Sequence, residues 1–164
     1  MGIYGPRQTV LVTCRGKAKV LGREQEKYNI ITVAWHMPLS VEPPMYAVAI
    51  GKPRFSAKLI TASKVFCVNF IPKSMQEAAL YCGRNSGEHV DKFSQAGLEL
   101  EECEKIDCPR IAGCLGHLEC EVVEQVEAGD HIIFIAKVAH SQQQKEDKRL
   151  FHMGGDRFTT TEKE

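Results

Sequence analysis

Apolar residues in this chain gather into short β-branched runs, set apart by polar connections marked with glycine or proline. Two such runs are "TVLVTC" (Thr9–Cys14) and "YNIITVAW" (Tyr28–Trp35), joined by a charged, glycine-containing connection that suits a hairpin or short meander. "MYAVAI" (Met45–Ile50) follows Pro43-Pro44, and "KVFCVNFI" (Lys64–Ile71) is a fourth run. In three of the four both alternating faces are apolar. Such strands are covered on both sides, by a barrel interior, a packed helix or another subunit. Further on, "HLECEVVEQV" alternates at first, placing Leu118, Cys120 and Val122 inward and Glu119 and Glu121 outward. The doubled Val122-Val123 breaks that period and predicts a bulge. "GDHIIFIAKVAH", entered through a Gly129-Asp130 turn, completes a long antiparallel pair. After the polar "SQQQKEDKR", a last short strand pair is expected around Gly154-Gly155, and residues 159–164 are expected to fray.

Helical patterns are few. In "SMQEAALYC", Ser74 and Glu77 form a capping-box pattern, and Met75, Ala78, Ala79 and Cys82 share one helical face. Ser56 is placed to cap a shorter helix, "AKLITA", and a third helix is expected over Asp91–Ala96, stopped by Gly97. Many short strands, a few inserted helices and no internal repeat predict a mainly β fold, a barrel of Greek-key type.

Composition narrows the class. The chain of 164 residues is the size of one domain and is read as one, residues 1–164. Apolar residues at 43% and charged residues at 26% are ordinary for a globular protein and argue against disorder. Lys plus Arg equals Asp plus Glu at 21 each, so no overall field draws in nucleic acid or a membrane surface. No apolar window approaches the ~20 residues that span a bilayer, and the start does not read as a signal peptide. Seven cysteines without regular spacing do not make a complete disulfide framework, so free thiols in a reducing cytoplasm are expected.

Three segments could carry chemistry. In "GKPRFSAK", Gly51 lets backbone approach a ligand, Lys52, Arg54 and Lys58 bring positive charge, and Ser56 opens a helix, the ingredients of a phosphate receptor. Taken alone, the segment reads more simply as a solvated loop with a serine cap. "NSGEHVDKF" offers Ser86, accessible amides around Gly87 and the charge of Lys92; its simpler reading is a helix end followed by another helix. In "NIITVAWHMPLSVEPPMYAVAI", alternation sends Asn29, Ile31, Val33 and Trp35 one way and Ile30, Thr32, Ala34 and His36 the other. An apolar slot with a few polar groups is what a flat aromatic cofactor needs. The dense group Cys103, Cys108, Cys114, His117 and Cys120 could ligate zinc or an iron–sulfur cluster, but it has no CxxC, and buried thiols are expected there instead of a metal. Nucleophile elbows, HExxH, P-loop and GxGxxG patterns are absent.

Taken in order, "NIITVAWHMPLSVEPPMYAVAIGKPRFSAKLI", "FCVNF", "SGEHVDKF" and "ECEVVEQVEAGDHIIFIAKV" resemble the flavin reductase-like family of FMN-binding split-barrel proteins, which includes flavoredoxins and archaeal ferric reductases. The resemblance covers roughly residues 9–158. It implies a six-stranded Greek-key split barrel and a homodimer with FMN near the subunit interface. "NIITVAW", from Asn29, would lie along the isoalloxazine ring, with Thr32 and the backbone through Val33, Ala34 and Trp35 at its polar edge and Ser40 nearby. "IGKPRFS", from Gly51, would hold the phosphate through Arg54 and Ser56. Phe55 and Ser56 stand where many members carry Tyr and Thr, a conservative departure. Ser86 and Lys92 would serve the phosphate or ribityl side. The resemblance implies electron transfer from NAD(P)H through FMN to free flavin, ferric iron or a protein acceptor, with no catalytic side chain. Its alternatives are a flavoredoxin-type carrier that passes electrons between partner proteins and a non-catalytic flavin- or metal-binding module.

Overall fold

The computed structural model describes residues 3–162. The early strands are β1 (Arg7–Gln8), β2 (Val10–Val20), β3 (Arg23–Val33), β4 (His36–Val41) and β5 (Pro44–Gly51), followed by α1 (Phe55–Ser63) and β6 (Val65–Phe70). Two helices, α2 (Gln76–Arg84) and α3 (Lys92–Gln95), lead to a small hairpin of β7 (Leu100–Glu102) and β8 (Pro109–Ile111). The long pair β9 (Gly116–Ala128) and β10 (His131–Gln143) and the short strands β11 (Leu150–Gly154) and β12 (Arg157–Thr160) complete the chain. Seven of the strands form one antiparallel sheet in the order β3-β2-β6-β9-β10-β5-β4.

That order requires closure. β3 and β4 stand at its two ends, yet only Ala34 and Trp35 separate them in sequence. A flat sheet would hold its first and seventh strands about 29 Å apart at ~4.8 Å per spacing. The link from Val33 to His36 reaches at most about 11 Å. The sheet therefore curls into a barrel. Val10, Val12, Val33, Val48, Phe66 and Phe134 fill its interior together with Leu59 and Ile60 of α1. Helix α1 lies flush on β2 because Gly16 has no side chain; a Cβ there would meet Leu59 O at 2.6 Å. The other face of β2 and β3 carries Leu11 and Ile30 into a second core with Ala79 and Cys82 of α2 and Phe93 of α3. Both faces of these strands are apolar because both are covered.

Several sequence expectations change in detail. The proline-rich connection is itself a strand, β4, and only Glu42-Pro43 turn the chain before β5, so the sheet has seven strands where six were expected. Pro38 fits there because β4 is an edge strand, where a missing N–H breaks no second ladder. The capping box does not form. Lys73–Met75 make a 3₁₀ turn, α2 starts at Gln76, and no side chain caps it. Ser56 is not a cap either, since α1 begins two residues earlier than expected, at Phe55, with Arg54 as N-cap. Asp91 does cap α3, accepting from the Phe93 and Ser94 amides, and Gly97 follows with φ +64°. The predicted bulge falls at Val123: Ile135 pairs with Glu124 and Ala136 with Val122. Glu119, expected outward, is fully buried, because the connection between β7 and β8 covers it and donates the Glu104 and Lys105 amides to its carboxylate at 2.8 and 2.7 Å. Of the tail expected to fray, Thr159 and Thr160 belong to β12, where the Thr160 hydroxyl donates to Arg149 O at 2.7 Å; residues 163–164 lie outside the described residues. No described helix is long and apolar enough to cross a membrane.

Candidate functional site

A cavity of about 410 Å³ opens where β3, the start of α1, the end of α2, α3 and the β9–β10 turn converge. Its volume lies in the ~300–1,000 Å³ range of small-molecule sites. Seven sequence-predicted residues line it: Asn29 from β3, Gly51, Arg54, Phe55 and Ser56 around the start of α1, Ser86 from the loop after α2, and Lys92 from α3. Strand alternation also brings Ile31 to this wall beside Asn29.

The polar groups are arranged in two sets. Arg54 sits at the N-cap of α1; the Ala57 amide donates to Arg54 O at 3.0 Å, and the Phe55 and Ser56 amides before it carry the positive end of the helix dipole. Lys92, only 4% exposed, donates from Nζ to Ile30 O and Cys82 O, each at 2.7 Å. Both partners are neutral carbonyls. Burial pulls the Lys92 pKa down to about 8, and the nearby charge of Arg54 adds to the shift. Asn29 is equally buried; its Nδ2 donates to Ser56 Oγ at 2.9 Å, whereas its Oδ1 has no hydrogen-bond partner. The loop after α2 presses on this side chain where only glycine fits, since a Cβ on Gly87 would fall 1.9 Å from Asn29 Oδ1. The cavity thus pairs unneutralised positive charge with a buried acceptor that lacks a donor. An anionic ligand that also carries hydroxyl groups answers both needs.

The other predicted residues stand elsewhere. The Thr32 hydroxyl donates to Ala79 O at 2.5 Å, turned toward α2 and away from the cavity. Val33 is buried in the barrel interior, and Ser40 lies on β4 without lining the cavity. Ala34 and Trp35 line a second, more open groove of about 560 Å³. Trp35 nevertheless touches the first site, because its ring packs 4.7 Å from that of His131, a cavity residue. His131 Nδ1 bonds Asp130 Oδ1 at 2.7 Å, and this contact lowers the Asp130 pKa. Asp130 and His131 were legible only as a turn; nothing local to "GDH" shows that β10 delivers them to the α1 terminus. Cys82, Gly83 and Asn85 were hidden in the same way, at the end of a helix whose buried face alone was readable. Among the described residues, no group of three or more His, Cys, Asp or Glu is placed to hold a metal ion.

Residues 3–161 match the family model of the flavin reductase like domain. The chain belongs to the flavin reductase-like family. This flavin reductase-like chain is 36% identical over 115 residues to an uncharacterized protein of Archaeoglobus fulgidus, covering 70% of the chain and 65% of the relative. It is 29% identical over 118 residues to the NADH-dependent FAD reductase of Streptomyces globisporus, covering 71% and 64%. The aligned stretches therefore span just under two thirds of both relatives. Flavoredoxin of Desulfovibrio vulgaris (Miyazaki F) superposes with a TM-score of 0.84 at 20% identity, covering 99% of this chain and 93% of that one. At that identity the likeness shows the fold, the split barrel.

Proposed function

We propose that this chain binds FMN in the 410 Å³ cavity and works as an oxidoreductase, taking electrons from NAD(P)H and passing them to free flavin, ferric iron or a protein acceptor. The observation that carries the reading is Lys92, an ammonium buried against carbonyls alone in a cavity of a flavin reductase-like domain. A phosphate dianion is the counter-charge it lacks. Bound FMN would supply hydride acceptance and onward electron transfer. The chain's own groups then bind and orient. Lys92, Arg54 and the first amides of α1 hold the phosphate. Asn29 Oδ1, kept in place by the Ser56 hydroxyl, accepts from a ribityl hydroxyl. The Trp35–His131 pair walls the site on the side of the open groove. The NADH dependence of the Streptomyces relative supports a nicotinamide donor.

A second copy of the chain is proposed to cover that groove. Trp35 and Met37 are 48% and 57% exposed there and sit beside Ala49 and Ile133, an apolar wall on which a homodimer would bury both and close the flavin site from outside. The deciding experiment is anaerobic mixing of the FMN-loaded protein with NADH and with NADPH, followed by absorbance. Bleaching by either supports the reductase. Failure to take up FMN would overturn the whole reading. Retained FMN that neither nucleotide reduces would leave the carrier, fed by a protein donor.

A further inference from the structure

We propose that Cys103 is an oxidative modification site, which reacts with hydroperoxides and is resolved as a disulfide with Cys108. The site stands apart from the flavin cavity, since neither residue lines it, and does not rest on the function proposed above. All seven cysteines are free; six are buried and Cys103 alone is partly open to solvent. The β7–β8 register runs Leu100 to Ile111, Glu101 to Arg110 and Glu102 to Pro109, so Cys103 and Cys108 are the next facing pair. The Cys103 amide donates to Cys108 O at 3.0 Å. The Cys108 amide turns instead to Ile106 O at 3.0 Å, so the pair shares one bond; facing antiparallel residues hold their Cα atoms about 4.5–5.5 Å apart, within the ~4.4–6.8 Å that a disulfide spans. Their Cβ atoms, at roughly 4.5–5.5 Å, exceed the relaxed ~3.5–4.5 Å. The bond therefore forms under mild strain and stays open to reduction by a small thiol.

The surroundings divide the labour between the two sulfurs. The sulfurs of Cys108 and Cys67, the latter from β6, lie beside Cys103 Sγ and lower its pKa, although the Cys108 thiol also donates to Thr13 O at 3.3 Å; burial and the Glu119 carboxylate oppose the shift, and the Arg110 guanidinium adds to it. Cys120 and His117 on β9 also lie within its field. Burial and the charge of Cys103 raise the pKa values of Cys67 and Cys108, so both stay protonated. The connection that carries Cys103 is held from two sides. Glu119 accepts the Glu104 and Lys105 amides, and Arg15 bridges Glu102 and Asp107 at 2.6 and 2.7 Å.

The chemistry balances with a hydroperoxide as oxidant. Cys103 sulfur attacks the distal peroxide oxygen; the O–O bond breaks, a sulfenic acid forms, and the alkoxide or hydroxide leaves and is protonated by water. Cys108 sulfur then displaces the sulfenic oxygen. The S–S bond forms, the S–O bond breaks, and hydroxide departs with the Cys108 proton as water. Cys67 makes the poorer resolving partner, because β6 is paired on both sides within the barrel sheet.

The test treats native protein with one equivalent of hydrogen peroxide, alkylates it and maps the peptides by mass. A Cys103–Cys108 crosslink, reversed by dithiothreitol, is the expected result. Cys108→Ser should accumulate a dimedone-trapped sulfenic acid on Cys103, and Cys103→Ser should lose both products. Independently of any variant, iodoacetamide alkylation of Cys103 in native protein should have its pH midpoint at least one unit below the ordinary thiol value of ~8.5. Oxidation of another cysteine first, a Cys103–Cys67 crosslink, or an alkylation midpoint at or above that value would overturn the proposal.

Discussion

Lys92 shows how one residue can set a pH dependence. Free, it titrates near 8 because burial disfavours its charge. A phosphate dianion beside it favours the protonated form and raises that pKa, so binding takes up a proton. FMN affinity should therefore be full below pH 8 and fall as pH rises through it. Fluorescence titration from neutral to mildly alkaline pH measures this, and Lys92→Met should both flatten the profile and weaken binding about tenfold or more. Arg54→Ala, which touches no buried packing, should weaken binding and move the midpoint to higher pH, because the Arg54 charge helps to hold the Lys92 pKa down. If neither variant alters affinity, the phosphate lies elsewhere. Asn29, Arg54, Ser56 and Lys92 stood out in the sequence by residue type, and the fold brings all four to one cavity. Thr32 was not, because the acceptor that captures its hydroxyl, Ala79 O, belongs to a helix 47 residues away in sequence.

At the scale of elements, contact between α1 and β2 positions the Arg54 end of the cavity. Gly16→Ala would drive a methyl group against Leu59 O and displace the helix. The expected cost is about 1–3 kcal/mol in urea denaturation, together with weaker FMN binding because Arg54 and the first amides move with α1. Glu119 does a similar task for the β7–β8 connection. Glu119→Gln leaves an amide facing one of two backbone donors and should lower stability by about 1–3 kcal/mol, with FMN affinity unchanged. Neither effect can be read from "RGK" or "LEC" alone. Gly16 looks like a turn residue and Glu119 like a solvent-facing one until the covering element is known.

For the molecule as a whole, the apolar groove beside the cavity argues for two copies. Light scattering should give a dimer mass, and Met37→Asp should shift it toward the monomer while weakening FMN retention. Trp35 is the one tryptophan in the chain, and its ring contacts a cavity residue while facing the groove. FMN titration should quench its fluorescence, and dimer dissociation should shift the emission to the red. A change in one signal without the other would separate cofactor site from interface.

Sequence by itself determined the strand-rich class, the two-sided burial of β2 and β3, the bulge at Val123, the long β9–β10 pair and the cationic segments, because each depends on local periodicity and residue chemistry. Only the tertiary structure decided that β4 is a strand, that Glu119 is buried, and that the "GDH" turn meets the start of α1. Those outcomes depend on which distant element arrives to cover or pair with a segment. Barrel closure, forced by the two-residue link between the sheet's opposite edges, is the event that brings them together.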